Sequence, residues 1–116
     1  MPMPEPKPVK MFWFKRREKR EETNTITVND KPLPLRQDLV NHSNEFDWGY
    51  GGSGPAQTAL AILAELYGDQ IAQRVHQEFK WQVIARQEGS DFGMNSLMID
   101  GWMHDNHYLD GGGTNG

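Results

Sequence analysis

FDWGYGGSGPAQTALAILAELY, residues 46–67, is the stretch that decides the fold. Ala56, Ala59, Leu60, Leu63, Leu66 and Tyr67 recur at the three- and four-residue intervals that stack side chains on one face of a helix. Ala61, Ile62 and Ala64 carry the apolar surface further round, leaving Gln57, Thr58 and Glu65 as the polar positions between Pro55 and Tyr67. A helix this apolar predicts cover on most sides, so 55–67 is expected to be the central element. Ser53 or Gly54 is the expected cap, and Pro55 suits a first turn where its missing N–H costs nothing.

Working outward, Gly68 is expected to end that helix in a left-handed conformation and Asp69 to cap the next one at once. Ile71, Val75, Phe79 and Val83 repeat every four residues and predict a second amphipathic helix reaching about Arg86. EGSDFG, 88–93, reads as a break. Asn95 or Ser96 is then placed to cap a third helix carrying Leu97, Met98, Ile99 and Trp102, weakened by Gly101. On the other side, Met11–Lys15 is a short apolar run, and TNTITV, 23–28, alternates β-branched residues with the period of a strand. The two predict a hairpin across the charged segment between them. Asn29-Asp30 reads as a turn, prolines 32 and 34 confine the next stretch to extended or edge geometry, and 36–43 shows no period. The expected fold is α+β, a small N-terminal antiparallel β-hairpin packed against two or three α-helices.

At 116 residues the chain has room for one core. The expected organisation is a flexible proline-rich arm at 1–10, a single domain at 11–108, and a flexible glycine-rich tail at 109–116. Cysteine is absent, so neither a disulfide framework nor a zinc ribbon supports the core, and packing must do so. No apolar run approaches the roughly 20 residues that span a bilayer, and the start lacks a signal-peptide core, which predicts a cytoplasmic protein. The formal net charge of −4 is unevenly spread. Residues 1–36 hold nine Lys/Arg against five Asp/Glu, whereas 37–116 hold three against eleven. The basic excess at Lys15, Arg16, Arg17, Lys19 and Arg20 is interleaved with Glu18, Glu21 and Glu22, which blunts the field a nucleic acid would need.

Glycines 49, 51, 52 and 54 spell a dinucleotide-type pattern, but a helix pair comes after them where that motif needs a βαβ unit. A phosphate-binding P-loop is excluded too, because no Lys-Ser/Thr pair stands after the last glycine. The general property that survives is anion binding by backbone N–H groups at Gly51, Gly52, Ser53 and Gly54, set against a structural role in which the glycines let Trp48 and Tyr50 fold onto the helix. Ser53 lies outside a G-x-S-x-G elbow, so no catalytic residue is assigned. Glu45, Asp47, Glu65, Glu78 and Asp91 show no spacing that pairs them across a cleft. His104 and His107 would share a face if both were helical, yet two histidines make a weak metal site, and no metal or cofactor is expected. His42 and His76 stand alone in the sequence. Four tryptophans exceed what so small a core obviously needs, and tryptophan is favoured at interfaces. Trp48 and Trp102 are assigned to the core, and Trp13 and Trp81, with Arg16 and Arg17, to partner binding.

The 46–63 string, with FKWQVIA at 79–85, resembles an uncharacterised bacterial and phage family classed only as a domain of unknown function. The likeness spans roughly residues 11–103, with Thr58 standing where leucine is expected. The resemblance implies a phage or mobile-element context and supplies no activity, ligand or catalytic residue. The leading expectation is a small non-enzymatic accessory protein that binds another macromolecule, a protein first of all. Phosphate, small-anion or nucleotide binding at the glycine loop comes second, and nucleic-acid binding through the basic hairpin third.

Overall fold

A helix that is apolar around its circumference holds only if the rest of the chain wraps it. In the computed structural model, which describes residues 8–109, α1 runs Ser53–Tyr67 and is buried without a break from Gly54 to Ala64. Two of those positions, Gln57 and Thr58, are polar and wholly enclosed. The Gln57 amide nitrogen donates to the carbonyls of Leu35 and Val40 at 2.7 and 3.1 Å, and its oxygen accepts from the N–H groups of His42 and Ser43 at 2.7 and 3.0 Å. All four hydrogen-bonding positions of the amide are therefore filled. The Thr58 hydroxyl accepts from the Asp47 N–H at 3.0 Å and lies 2.8 Å from the Asp47 carbonyl. The two polar side chains of the buried helix thus fasten the irregular stretch from Leu35 to Asp47, whose own backbone groups need those partners.

The hairpin expected from the sequence is part of a larger sheet. β1 (Met11–Lys15) pairs antiparallel with β2 (Thr25–Val28), and β2 with the two-residue β3 (Lys31–Pro32). Asn29 and Asp30 between them take φ of 48° and 68°, the double left-handed geometry of a tight hairpin turn. The segment read as a break contains β4 (Asp91–Asn95), which pairs antiparallel with the other side of β1 and gives the order β3-β2-β1-β4. Gly93, Asp91 and Asn95 are poor strand formers, so no local pattern announces this strand. Gly93 is there for a packing reason: a Cβ on it would lie 2.9 Å from the Trp13 ring and 3.0 Å from the Met11 sulfur. Alternation sends Phe12, Phe14, Ile26, Val28 and Met94 inward to one core with α1, while Met11 and Trp13 face outward.

α2 (Asp69–Gln82) comes one residue after α1 and packs along it. Gly68 makes that turn at φ 92° and ψ 173°, extended rather than left-handed helical, a combination open in practice only to glycine. Other details differ from expectation. Gly52, with no side-chain hydrogen bond, precedes α1 in the cap position, so neither Ser53 nor Gly54 caps it. Asp69 does not cap α2 either; its carboxylate accepts from Arg36 Nη2 at 3.1 Å. The second helix stops at Gln82, and Ile84–Arg86 form a separate 3₁₀ turn. α3 (Ser96–Asp105) begins as expected, with the Asn95 side chain accepting from the Met98 N–H at 3.0 Å. Trp102 is half-buried, stacked edge-on to Phe79 at 5.1 Å.

The proposed arm is described only from Pro8 and the proposed tail only to Leu109; the remainder of both lies outside the described residues. Among the described residues no helix is long and apolar enough to cross a membrane. The glycines at 68 and 101 make opposite predictions, because a Cβ on either would meet nothing within 4 Å. Gly68→Ala is expected to cost about 1–3 kcal/mol through backbone strain, and Gly101→Ala, inside α3, to gain up to about 1 kcal/mol. Urea unfolding of both variants checks this, and effects of the same sign would contradict it.

Candidate functional site

The glycine loop starts from an anchor beneath it. Trp48 is fully buried, edge-on to Phe14 at 5.2 Å, and its indole N–H donates to the Gly89 carbonyl at 3.0 Å. Arg16, just past the end of β1, lays its guanidinium over the Trp48 ring at 4.4 Å. One nitrogen of that fork donates to Asp47 at 2.7 Å and another to the Trp48 carbonyl at 3.0 Å. The Asp47 carboxylate also accepts from the Trp48 N–H at 2.9 Å and from the Tyr50 hydroxyl at 2.8 Å. Burial alone would raise the Asp47 pKa, but the donors Arg16, Trp48 N–H and Tyr50 outweigh it and hold the carboxyl below its ordinary value of 3.8. Burial first, then the bond to Asp47, pushes the Tyr50 phenol up.

On this base the glycines serve close approach. A Cβ on Gly51 would fall 2.1 Å from the Trp81 ring, one on Gly52 2.4 Å from the Tyr50 ring, and one on Gly54 2.6 Å from Asp47 Cβ. Trp81 from the end of α2 and Tyr50 from the loop therefore rest directly on backbone, Trp81 also facing the Lys80 ammonium at 4.3 Å. Both rings stay open to solvent, Tyr50 at 50% and Trp81 at 56%. The result is a pair of large aromatic side chains held on a glycine backing with half of each on offer.

The residues singled out from the sequence are divided among several places. Gly51 and Gly52 back the two rings, Gly54 lies against Asp47, and Ser53 is exposed as the first residue of α1. Trp81 is part of the platform. Trp13 is not: it lies on the outer face of the sheet, 46% exposed, with its indole N–H bonded to Asp91. Arg16 is engaged with Asp47 and Trp48, and Arg17 has its nearer nitrogen 3.8 Å from Glu45. The hollow at the hairpin tip is lined by Lys15, Arg16 and Arg17 and equally by Glu18, Glu21 and Glu22. His104 and His107 do not share a helical face, since α3 ends at Asp105 and His107 has φ 65°. Among the described residues no group of three or more His, Cys, Asp or Glu is arranged to hold a metal.

Tyr50 and Asp47 escaped the sequence reading as a site, although the W-G-Y-G-G string holds the signal: an aromatic residue beside paired glycines. Which glycine meets Trp81, far along the chain, is a tertiary fact. The same holds for His42 and His76, isolated in sequence but with their Nε2 atoms 3.0 Å apart.

Residues 15–105 match the model of a family described as a family of unknown function (DUF6166). No curated protein and no solved structure matches the chain.

The Asp47 geometry predicts an acid limb in the stability curve. A carboxyl whose pKa is depressed by folding stabilises the native state above its unfolded value of 3.8, and that contribution is lost as pH falls through the lower folded value. Asp47→Asn should lower stability at neutral pH and flatten the decline between about pH 4 and pH 2. Urea midpoints measured across that range check it; an unchanged slope in the variant would contradict it.

Proposed function

The chain belongs to the DUF6166 family of unknown function, and we propose that it is a small non-catalytic accessory protein that binds a partner protein at the Tyr50–Trp81 platform. The observation that carries the reading is the glycine backing beneath two half-exposed aromatic rings. Large aromatic side chains dominate binding energy at protein interfaces, and rings already held in place lose little freedom on association. The five acids that the sequence offers for acid–base chemistry each have a partner: Asp47 with Arg16, Glu45 with the Asn24 N–H, Glu65 with Lys10, Glu78 with Gln82 and Asp91 with Trp13. A cytoplasmic, phage or mobile-element setting is part of the same proposal and rests on the resemblance of the 46–63 string.

Anion binding by the loop itself ranks second, because Asp47 and Tyr50 already occupy the space beside Gly52 and Gly54 and bring a carboxylate with them. Nucleic-acid binding at the hairpin ranks third, because Arg16 is committed to Asp47 and the neighbouring hollow is as acidic as it is basic.

Affinity capture from cells of the source organism, quantified by mass spectrometry, tests the platform. Trp81→Ala and Gly51→Ala, the second of which displaces the ring, are expected to weaken capture of a specific partner roughly tenfold or more. Trp13→Ala, on the outer face of the sheet, should leave it intact. Capture that survives Trp81→Ala would overturn the proposal.

A further inference from the structure

Beside the platform, α2 carries two nitrogen-bearing side chains one turn apart, His76 and Lys80, and the loop fastened by Gln57 brings His42 to them. His76 Nδ1 lies 2.9 Å from the Ala72 carbonyl and 3.0 Å from the Gln73 carbonyl, so this nitrogen holds the proton. In the neutral ring its Nε2 is then a lone pair, and His42 Nε2–H donates to it across 3.0 Å. Both carbonyl contacts fix the ring's orientation, leaving the pair a defined shape.

Lys80 is 7% exposed. Among the described residues its ammonium has the Trp81 ring face at 4.3 Å as partner, and no oxygen accepts a hydrogen bond from it. A buried ammonium whose N–H donors meet no acceptor is costly, and such a group calls for an ion or solvent as its partner. Burial first, then the neighbouring His76 and Lys80, holds the His42 pKa below its ordinary value of 6.5. Among the described residues no carboxylate hydrogen-bonds or ion-pairs with His42, His76 or Lys80, although residues 37–116 carry eleven acids against three bases. The spot is short of negative charge in an otherwise acidic body. A divalent cation would meet the Lys80 charge and only two imidazoles, so an ion suited to this place is an anion.

We propose that Lys80 and His42, the latter held in place by His76, form a binding site for a compact oxyanion, a phosphate or a carboxylate group. The site adjoins the aromatic platform, because the Lys80 ammonium faces the Trp81 ring at 4.3 Å; it goes beyond the protein-binding reading, and anion binding is read out whether or not a partner protein is captured. An oxyanion supplies acceptors for the Lys80 ammonium and, once the His42 ring is protonated, for the N–H at its Nδ1, the nitrogen that the contact with His76 leaves unused.

The test is titration of the full chain with inorganic phosphate, with sodium acetate and with sodium chloride at matched ionic strength. It is followed by NMR through the His42 and His76 ring signals and the Lys80 side-chain nitrogen. Saturable shifts centred on these three residues are expected from phosphate or acetate and not from chloride. A preference for phosphate identifies a free or esterified phosphate as the source, and a preference for acetate a carboxylate such as an acidic side chain. Lys80→Met should weaken the apparent Kd at least tenfold, and His42→Asn should weaken it in a protein that keeps Lys80. Lys80→Met should also fold with an unchanged or higher thermal midpoint in anion-free buffer, since it removes a buried charge without a hydrogen-bond acceptor. The absence of any response beyond that to chloride would overturn the proposal. So would a response that Lys80→Met retains.

Discussion

The structure depends on the complete burial of one helix. An α1 enclosed from Gly54 to Ala64 cannot keep polar side chains unless each finds all its partners inside, and Gln57 does so through the backbone of Leu35, Val40, His42 and Ser43. The same bonds answer the need of a chain segment that has no sheet or helix of its own. Thr58 extends the arrangement by one residue, taking the Asp47 N–H, and Asp47 in turn collects Arg16, the Trp48 N–H and the Tyr50 hydroxyl. A connected series of hydrogen bonds therefore runs from the middle of the core to the exposed Tyr50.

Glycine contributes at the surface what the amide contributes inside. Gly51 under Trp81 and Gly52 under Tyr50 turn two aromatic rings into fixed features, and Gly93 does the same for Trp13 on the outer face of the sheet. The strongest basic groups beside the loop are committed to internal partners, so the surface that remains is aromatic rather than electrostatic. That contrast is the ground on which a protein partner is proposed ahead of a nucleic acid. The Lys80 ammonium near His42 and His76 is the exception, a buried positive charge that no acid meets among the described residues.

Much of the fold was legible because its signals are local. The apolar spacing from Ala56 to Tyr67, the alternation from Thr25 to Val28, the Asn29-Asp30 turn and the Asn95 cap each depend on a few adjacent residues. β4 was hidden because Asp91, Gly93 and Asn95 have low strand preference, and the strand exists through its pairing with β1. The apolar spacing predicts a second helix one turn too long because Val83 and Ile84 continue it while the backbone at Val83 leaves helical geometry, at φ −122° and ψ −58°. The site was legible in part. Its glycines stood out, but the sequence offers no means of telling that Gly51 meets Trp81 or that His42 meets His76, since each contact is made by helix packing between residues distant in the chain.

Gln57 holds the chain from Leu35 to Ser43 against the buried helix. Gln57→Met keeps the length of the side chain and removes both its donors and its acceptor, stranding four backbone groups. Its equilibrium urea unfolding, compared with that of the wild-type chain, is the most direct test. At about 1 kcal/mol or more for each stranded group, a loss of roughly 4 kcal/mol is predicted. A variant within about 0.5 kcal/mol of wild type would contradict the account.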